Sequence, residues 1–240
     1  MGVGFDYRNG ELHCEDVALA GLAARFGTPL YVYSRAAITA AYQAYARALP
    51  GRSALVCYAM KANSNLAVLN VLARLGAGFD IVSGGELERA LAAGASASKV
   101  VFSGVGKSER EIQRALAVDI LCFNVESAAE LERIDAVAQR LGKRARVSIR
   151  VNPDVDARTH PYISTGLKEN KFGVSYEQTL DVYRDAARRH GLQVVGIDCH
   201  IGSQITEIAP YLDAAERILD LVEALEREGI ALEHIDFGGG

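Results

Sequence analysis

Residues 55–65 read LVCYAMKANSN, and the fold turns on how this stretch is taken. Five of the six residues before Lys61 (Leu55, Val56, Cys57, Ala59 and Met60) are apolar and the sixth is Tyr58, the composition of a strand buried on both faces. Asn63, Ser64 and Asn65 are helix-start residue types, and Leu66, Val68, Leu69, Val71, Leu72 and Leu75 then recur at helical spacing. The stretch is one strand–turn–helix unit with a lysine at the strand's carboxyl end. A lysine held there, short of water, can be driven toward the neutral amine that Schiff-base chemistry uses. It can equally reach from a strand end into solvent.

The unit repeats along the chain. Apolar runs at 54–60, 79–82, 100–102, 120–123, 147–151, 194–199 and 234–237 alternate with amphipathic stretches, the pattern of βα units around a parallel sheet. Ser83–Glu86, Ser108–Glu111, Ser127–Glu130 and Ser175–Gln178 each fit a capping box that opens a helix. Seven such strands with no GxGxxG after the first favour a (β/α)8 TIM-type barrel over an open doubly wound sheet. The last strand is followed directly by Gly238, Gly239 and Gly240. An eighth strand is not in the sequence, so we expect a barrel truncated after its seventh strand, within a longer protein. Residues 1–34 read as a separate segment, with a polar turn at Arg8-Asn9-Gly10, a weak helix around Val17–Phe26 and a strand-like LYVYS. Residues 35–240 read as the barrel, opened by a helix from Ala36 to Leu49.

Composition narrows the class. Half of the 240 residues are apolar, and 26 basic and 30 acidic residues are interspersed to a net charge of −4. No basic stripe suits nucleic acid, and no run approaches the roughly 20 apolar residues of a membrane span. Cys14, Cys57, Cys122 and Cys199 show no CxxC spacing, which is the usage of reduced thiols in a cytoplasmic protein rather than of disulfides or zinc.

In a barrel the reactive groups sit at the carboxyl ends of strands. Lys61 ends the first. Asp80 lies among apolar neighbours in GFDIVS, where a carboxylate is either a satisfied core acid or the partner of a cation. Arg150 and Asn152 close VSIRVNP, and the arginine can bind an anion or pair with a structural acid. His200 and Ser203 open the loop after VVGIDC. That histidine is either a structural residue or one that lies against a flat ring. Glycines 238–240 make either a tight turn or a nest of amides for a phosphate. The interval 152–174 is long and polar, and we read it as a lid or substrate loop. A Schiff-base lysine, a phosphate nest and such a histidine together suggest pyridoxal 5'-phosphate.

YAMKANSN, GFDIVSGGEL, RVNP, HPYISTGLKENKFG, CHIGSQ and DFGGG, in that order, resemble the barrel half of the fold-type III pyridoxal-phosphate decarboxylases. The resemblance is strongest to the branch that converts meso-2,6-diaminopimelate to L-lysine and carbon dioxide in lysine biosynthesis. It implies that Lys61 holds the cofactor covalently, that His200 stacks on its ring, and that Ser203, Gly238, Gly239 and Gly240 take its phosphate. Asp80 and Arg150 would support the ring and its polar neighbours, with Glu86 and Asn152 in supporting positions. Glu86 also completes a capping box. The resemblance further implies a cytoplasmic homodimer, with a pyridine-facing glutamate, a catalytic cysteine and a β-domain that packs on residues 1–34 all beyond position 240. These 240 residues alone should therefore have little activity. Alanine racemases share the KAN motif but continue differently after Asn63. A decarboxylase for ornithine, arginine or a polyamine precursor, a non-catalytic pyridoxal-phosphate barrel and a cofactor-free Schiff-base aldolase stay open.

Overall fold

The computed structural model describes residues 4–155 and 172–239. A small antiparallel sheet comes first, of β1 (Phe5–Arg8), β2 (Glu11–Cys14) and β3 (Val17–Ala18). Asn9 and Gly10 both have positive φ, 52° and 83°, as a two-residue hairpin turn demands. α1 (Leu19–Phe26) follows. The LYVYS stretch is irregular, not the strand its composition predicts: Tyr31 and Tyr33 are exposed and no described strand pairs with it. Its Ser34 instead caps α2 (Arg35–Ala48), with Oγ accepting from the Ala37 amide at 3.0 Å.

From there strands and helices alternate: β4 (Cys57–Ala59), α3 (Leu66–Leu75), β5 (Gly78–Ile81), α4 (Gly84–Ala92), β6 (Val100–Phe102), α5 (Glu109–Val118), β7 (Cys122–Val125), α6 (Ala128–Arg140) and β8 (Ala145–Asn152). The two-residue β9 (Val174–Ser175), α7 (Thr179–Arg188), β10 (Leu192–His200), α8 (Ala209–Arg227) and β11 (His234–Gly238) complete the order. The sheet runs β11-β10-β8-β7-β6-β5-β4, every pair parallel, with β9 added beside β8. The seven predicted apolar runs all became strands of this sheet. β4 differs from expectation: it is an edge strand of three half-buried residues rather than a strand buried on both faces, because β5 is its sole described partner.

Helix starts follow the serines, with variations. Ser108 and Glu111 form the full reciprocal capping box. At α4 and α6 the serine hydroxyl accepts from the third residue of the helix as predicted, from Glu86 and Glu130. There the glutamate reaches one residue further back, to the Val82 and Glu126 amides, at 2.7 Å each. Ser175–Gln178 is not a capping box. Residues Tyr176–Gln178 take a tighter 3-10 turn, α7 starts only at Thr179, and Thr179 Oγ1 donates to the Ser175 carbonyl instead.

The sheet has two unlike faces. Phe79, Ile81, Phe102, Phe123, Val125, Val147, Ile149, Val151, Ile197 and Cys199 point outward and pack with helix residues such as Leu87, Ile112, Leu131, Ile134, Tyr183 and Ile218 into one core. The alternate positions face the other way and are apolar only at the amino-terminal end, where Val101, Cys122 and Val195 meet Cys57. β10 keeps this phasing through a bulge: its register with β8 slips between Val194 and Gly196. The bulge absorbs the extra residue, Val195, so that Ile197 and Cys199 stand opposite Ile149 and Val151 and face the helices, while Asp198 and His200 turn inward.

The sheet also curls. β7 and β11 stand three places apart, about 14 Å in a flat sheet at ~4.8 Å per strand. Yet Asn124 Nδ2 donates to Asp236 Oδ2 at 3.1 Å, and Cys122 Sγ lies 3.8 Å from His234 Nε2. Side chains this short meet only if the sheet bends round on its inner face. The result is a partly closed (β/α) barrel, as the strand count predicts.

Candidate functional site

The carboxyl ends of the inner face carry a concentrated set of polar groups. Lys61 sits in a single 3-10 turn, Met60–Ala62, immediately after β4. It is exposed rather than held short of water, because β4 is an edge strand. Tyr58 fixes the turn by donating from its hydroxyl to the Asn63 carbonyl at 3.2 Å, and Asn65 caps α3 through the Ala67 amide at 2.9 Å. Lys61 belongs electrostatically to the barrel mouth, since its charge acts on both Asp80 and His200.

Asp80 faces inward from β5. Burial pushes its carboxyl up to about 6, assisted by Asp236 and opposed by the Ser103 hydroxyl, Lys61 and Arg150. Its Oδ1 is buried without a hydrogen-bond partner among the described residues, as is Ser148 Oγ. His200 ends β10 with its ring against the backbone of β11: a Cβ on Gly238 would stand 2.7 Å from its Nδ1. Burial, then Arg150 and Lys61, hold the imidazole down to about 4, so it is neutral at pH 7. Gly239, at φ +138°, is hemmed by the Tyr211 hydroxyl and the Gly202 carbonyl, 3.0 and 3.1 Å from where its Cβ would be. The glycines after β11 and the loop that carries Ser203 are therefore neighbours. Gly240 lies outside the described residues, as do residues 156–171, most of the predicted lid.

Arg150 is gripped by acids. Its NH1 donates to Glu126 Oε1 at 2.8 Å, its Nε stands 3.9 Å from Asp198 Oδ2, and the guanidinium covers the Phe172 ring at 5.4 Å. Asp198 is fully enclosed, and burial raises its carboxyl well above the usual range, with Asp236 adding to the rise and Arg150 opposing it. Asn152 holds the next turn, its Oδ1 accepting from the Asp154 amide at 3.0 Å. Glu86 is occupied at the start of α4, as described above.

The structure thus brings Lys61, Asp80, Arg150, His200, Gly238 and Gly239 around one mouth. Sequence reasoning missed Ser103, Asn124, Glu126, Ser148, Asp198 and Asp236. A signal for them exists: in FNVE, VSIR, IDCH and IDFG the polar residues fall at alternate positions of otherwise apolar strands, which marks an inward-facing polar row.

Comparison with known proteins decides the family. The family model described as "Pyridoxal-dependent decarboxylase, pyridoxal binding domain" matches residues 35–240. The chain belongs to this decarboxylase family. Among curated family relatives, the diaminopimelate decarboxylase of Pseudomonas aeruginosa is 64% identical over 236 residues, 98% of this chain and 57% of the relative. Among solved structures, diaminopimelate decarboxylase from M. jannaschii in co-complex with L-lysine superposes with a TM-score of 0.93 at 40% identity, covering 100% of this chain and 57% of that one. Lysine decarboxylase from Selenomonas ruminantium gives 0.82 at 30% identity, covering 92% of this chain and 55% of that one. The chain spans somewhat over half the length of the relatives it matches.

The mouth suits the group for which this decarboxylase family is described. One exposed amine, a neutral imidazole, buried oxygens with spare hydrogen-bonding capacity at Asp80 and Ser148, and side-chain-free backbone at Gly238 and Gly239 fit a flat aldehyde-bearing ring with a phosphate arm. Among the described residues no group of His, Cys, Asp or Glu could hold a metal ion, and all four cysteines are unpaired thiols. No helix among them is long and apolar enough to cross a membrane.

Proposed function

We propose that this chain is the cofactor-binding part of a pyridoxal 5'-phosphate-dependent decarboxylase that converts meso-diaminopimelate to L-lysine and carbon dioxide. The observation that carries the reading is the convergence of Lys61, Asp80, Arg150, His200 and the 238–239 glycines on the mouth of a curled parallel sheet. The choice of substrate is supported by 64% identity to a curated diaminopimelate decarboxylase and, among solved structures, by 40% identity to one such enzyme against 30% to a lysine decarboxylase.

Lys61 would hold the cofactor's aldehyde carbon covalently, and its exposure leaves the amine open to exchange with a substrate amine. His200, uncharged at neutral pH, would lie flat against the ring without adding a cation beneath it. The backbone amides at Gly238 and Gly239, the Ser203 hydroxyl and Gly240 would take the phosphate. Asp80 and Arg150 would orient the ring's polar substituents, with Asn152 and Glu86 holding the backbone around them. The bound cofactor supplies a ring that accepts the electron pair released as carbon dioxide leaves. Val101, Cys122 and Val195 would form an apolar floor beneath the ring.

The reading carries a homodimer in the cytoplasm with it, and a division of the chain at residue 34. That division is supported by the separate sheet of β1–β3 and by the start of the family match at residue 35. The test is borohydride reduction of the full-length protein after addition of pyridoxal phosphate, followed by peptide mapping. The pyridoxyl group is expected on Lys61, and carbon dioxide release is expected from meso-diaminopimelate in preference to L-lysine or L-ornithine. A label on Lys99 or Lys143, or faster release from L-ornithine, refutes the respective part of the assignment.

A further inference from the structure

Lys107 is a charged side chain with no access to solvent. It is 2% exposed, and its three ammonium hydrogens are all spent: on the Gly104 carbonyl at 2.7 Å, the Asn124 carbonyl at 2.8 Å and Glu130 Oε1 at 2.7 Å. Arg133 adds a bond to the Lys107 carbonyl at 3.3 Å. A buried ion pair of this kind is rarely worth more to stability than a pair of apolar side chains of the same size. Its value is better sought in what it positions. The other oxygen of Glu130 accepts from the Glu126 amide at 2.7 Å, and Glu126 Oε1 in turn accepts from Arg150 at 2.8 Å. The pair therefore grips β7 on both sides of Val125, at the Asn124 carbonyl and the Glu126 amide. The side chains of those two residues face the mouth: Asn124 bonds Ser103 at 3.3 Å and Asp236 at 3.1 Å, and Glu126 bonds Arg150.

We propose that the buried Lys107–Glu130 pair positions Glu126, and through it the Arg150 guanidinium, for the cofactor. Neither residue of the pair touches the mouth. This rests on the pyridoxal-phosphate reading above for its purpose, although the positioning itself is a property of the protein without cofactor.

Glu130→Gln is the informative variant. A carboxylate has two acceptor oxygens and serves Lys107 and the Glu126 amide together, whereas a carboxamide has one and must present its NH2 to one of the two donors. Two readouts on the full-length protein separate the questions. In the cofactor-free protein, the Arg150 Nε–H resonance is expected to be sharp and protected in the wild type and to broaden or exchange rapidly in Glu130→Gln. In pyridoxal phosphate titrations followed by visible absorption and circular dichroism, Glu130→Gln is expected to weaken binding about fivefold to tenfold. The same change made in an Arg150→Met background is expected to weaken it less than twofold, because effects that pass through one residue do not add. A purely structural role would lower affinity by the same factor in both backgrounds, and that result, or an unaltered Arg150 resonance, overturns the proposal. If Glu130→Gln changes the resonance as expected but the wild type binds no pyridoxal phosphate, the functional reading fails and the positioning pair stands. Should Glu130→Gln not fold, Lys107→Met/Glu130→Leu, which removes both charges at similar volume, replaces it in the same cycle. If that double variant is also unfolded, the pair is a stability element and the proposal is wrong.

Discussion

Lys61 is the residue on which the proposed chemistry depends, and its exposure makes a sharp prediction. Lys61→Arg keeps the charge but offers no amine that can form a Schiff base, so borohydride should leave no pyridoxyl group in the protein, while its unfolding free energy stays within about 0.5 kcal/mol of wild type, as for most exposed substitutions. His200 tests the mouth differently. Stacking of aromatic rings contributes about 0.5 to 1.5 kcal/mol beyond burial, so His200→Ala should weaken cofactor binding roughly twofold to tenfold, and His200→Phe should largely restore it. Equal affinity in all three proteins would make the histidine structural. Gly238→Ala should mimic His200→Ala, because the new methyl would stand 2.7 Å from Nδ1 and push the ring aside. At this scale the sequence was informative where a motif marked the position. Lys61, Asp80, Arg150, His200 and the glycines stand in motifs that mark them as candidates, and the described ones lie around one mouth. Asp198 and Asp236 carry only the weaker signal of an alternate polar position in an apolar strand, which is the same whether the strand bends round to meet other acids or lies flat.

Elements were legible in proportion to their punctuation. All seven sheet strands appear as apolar runs, and three of four serine caps open helices as their residue types dictate. The failures have physical causes. LYVYS has strand composition but no strand beside it, and composition cannot supply a partner. Ser175 has capping chemistry but precedes a 3-10 turn, and the hairpin of β1 and β2 around Asn9-Gly10 was read only as a turn. The complete box at α5 gives the cleanest energetic test. Ser108→Ala removes the acceptor for the Glu111 amide and should cost about 1 kcal/mol in chemical unfolding. Cofactor binding should not change, since the hydrogen bonds of Ser108 and Glu111 run to each other and to the Gly84 amide and not to the groups around the mouth.

For the whole molecule, the polar interior couples stability to pH through two opposed groups. His200 titrates near 6.5 when unfolded and about 4 when folded, so its contribution to stability is lost as pH falls from 6.5 toward 4. Asp80 runs the other way: its folded value of about 6 lies above the ordinary 3.8, so its contribution is present at low pH and is lost as pH rises through 6. Asp198 acts in the same sense as Asp80. At about 1.4 kcal/mol per pH unit, each group contributes about 2 kcal/mol between pH 6.5 and 4.5, and the two largely offset each other. Asp80→Asn should therefore make acidification over that interval more destabilising by about 2 kcal/mol, and His200→Phe should make it less so by a similar amount. Urea unfolding at the two pH values checks both signs.

The bulge in β10 has a consequence for the reading frame of change rather than for its chemistry. Val195 is the residue that the bulge absorbs, so loss of its codon would return the strand to regular pairing and leave Gly196 opposite Ser148, Ile197 opposite Ile149 and Asp198 opposite Arg150. Asp198 and His200 would keep facing the mouth, and Ile197 and Cys199 the helices. The strand thus carries one codon of slack: a three-nucleotide deletion some five codons upstream of the histidine should spare the site, whereas the same loss within the regularly paired β8 would turn its later side chains over.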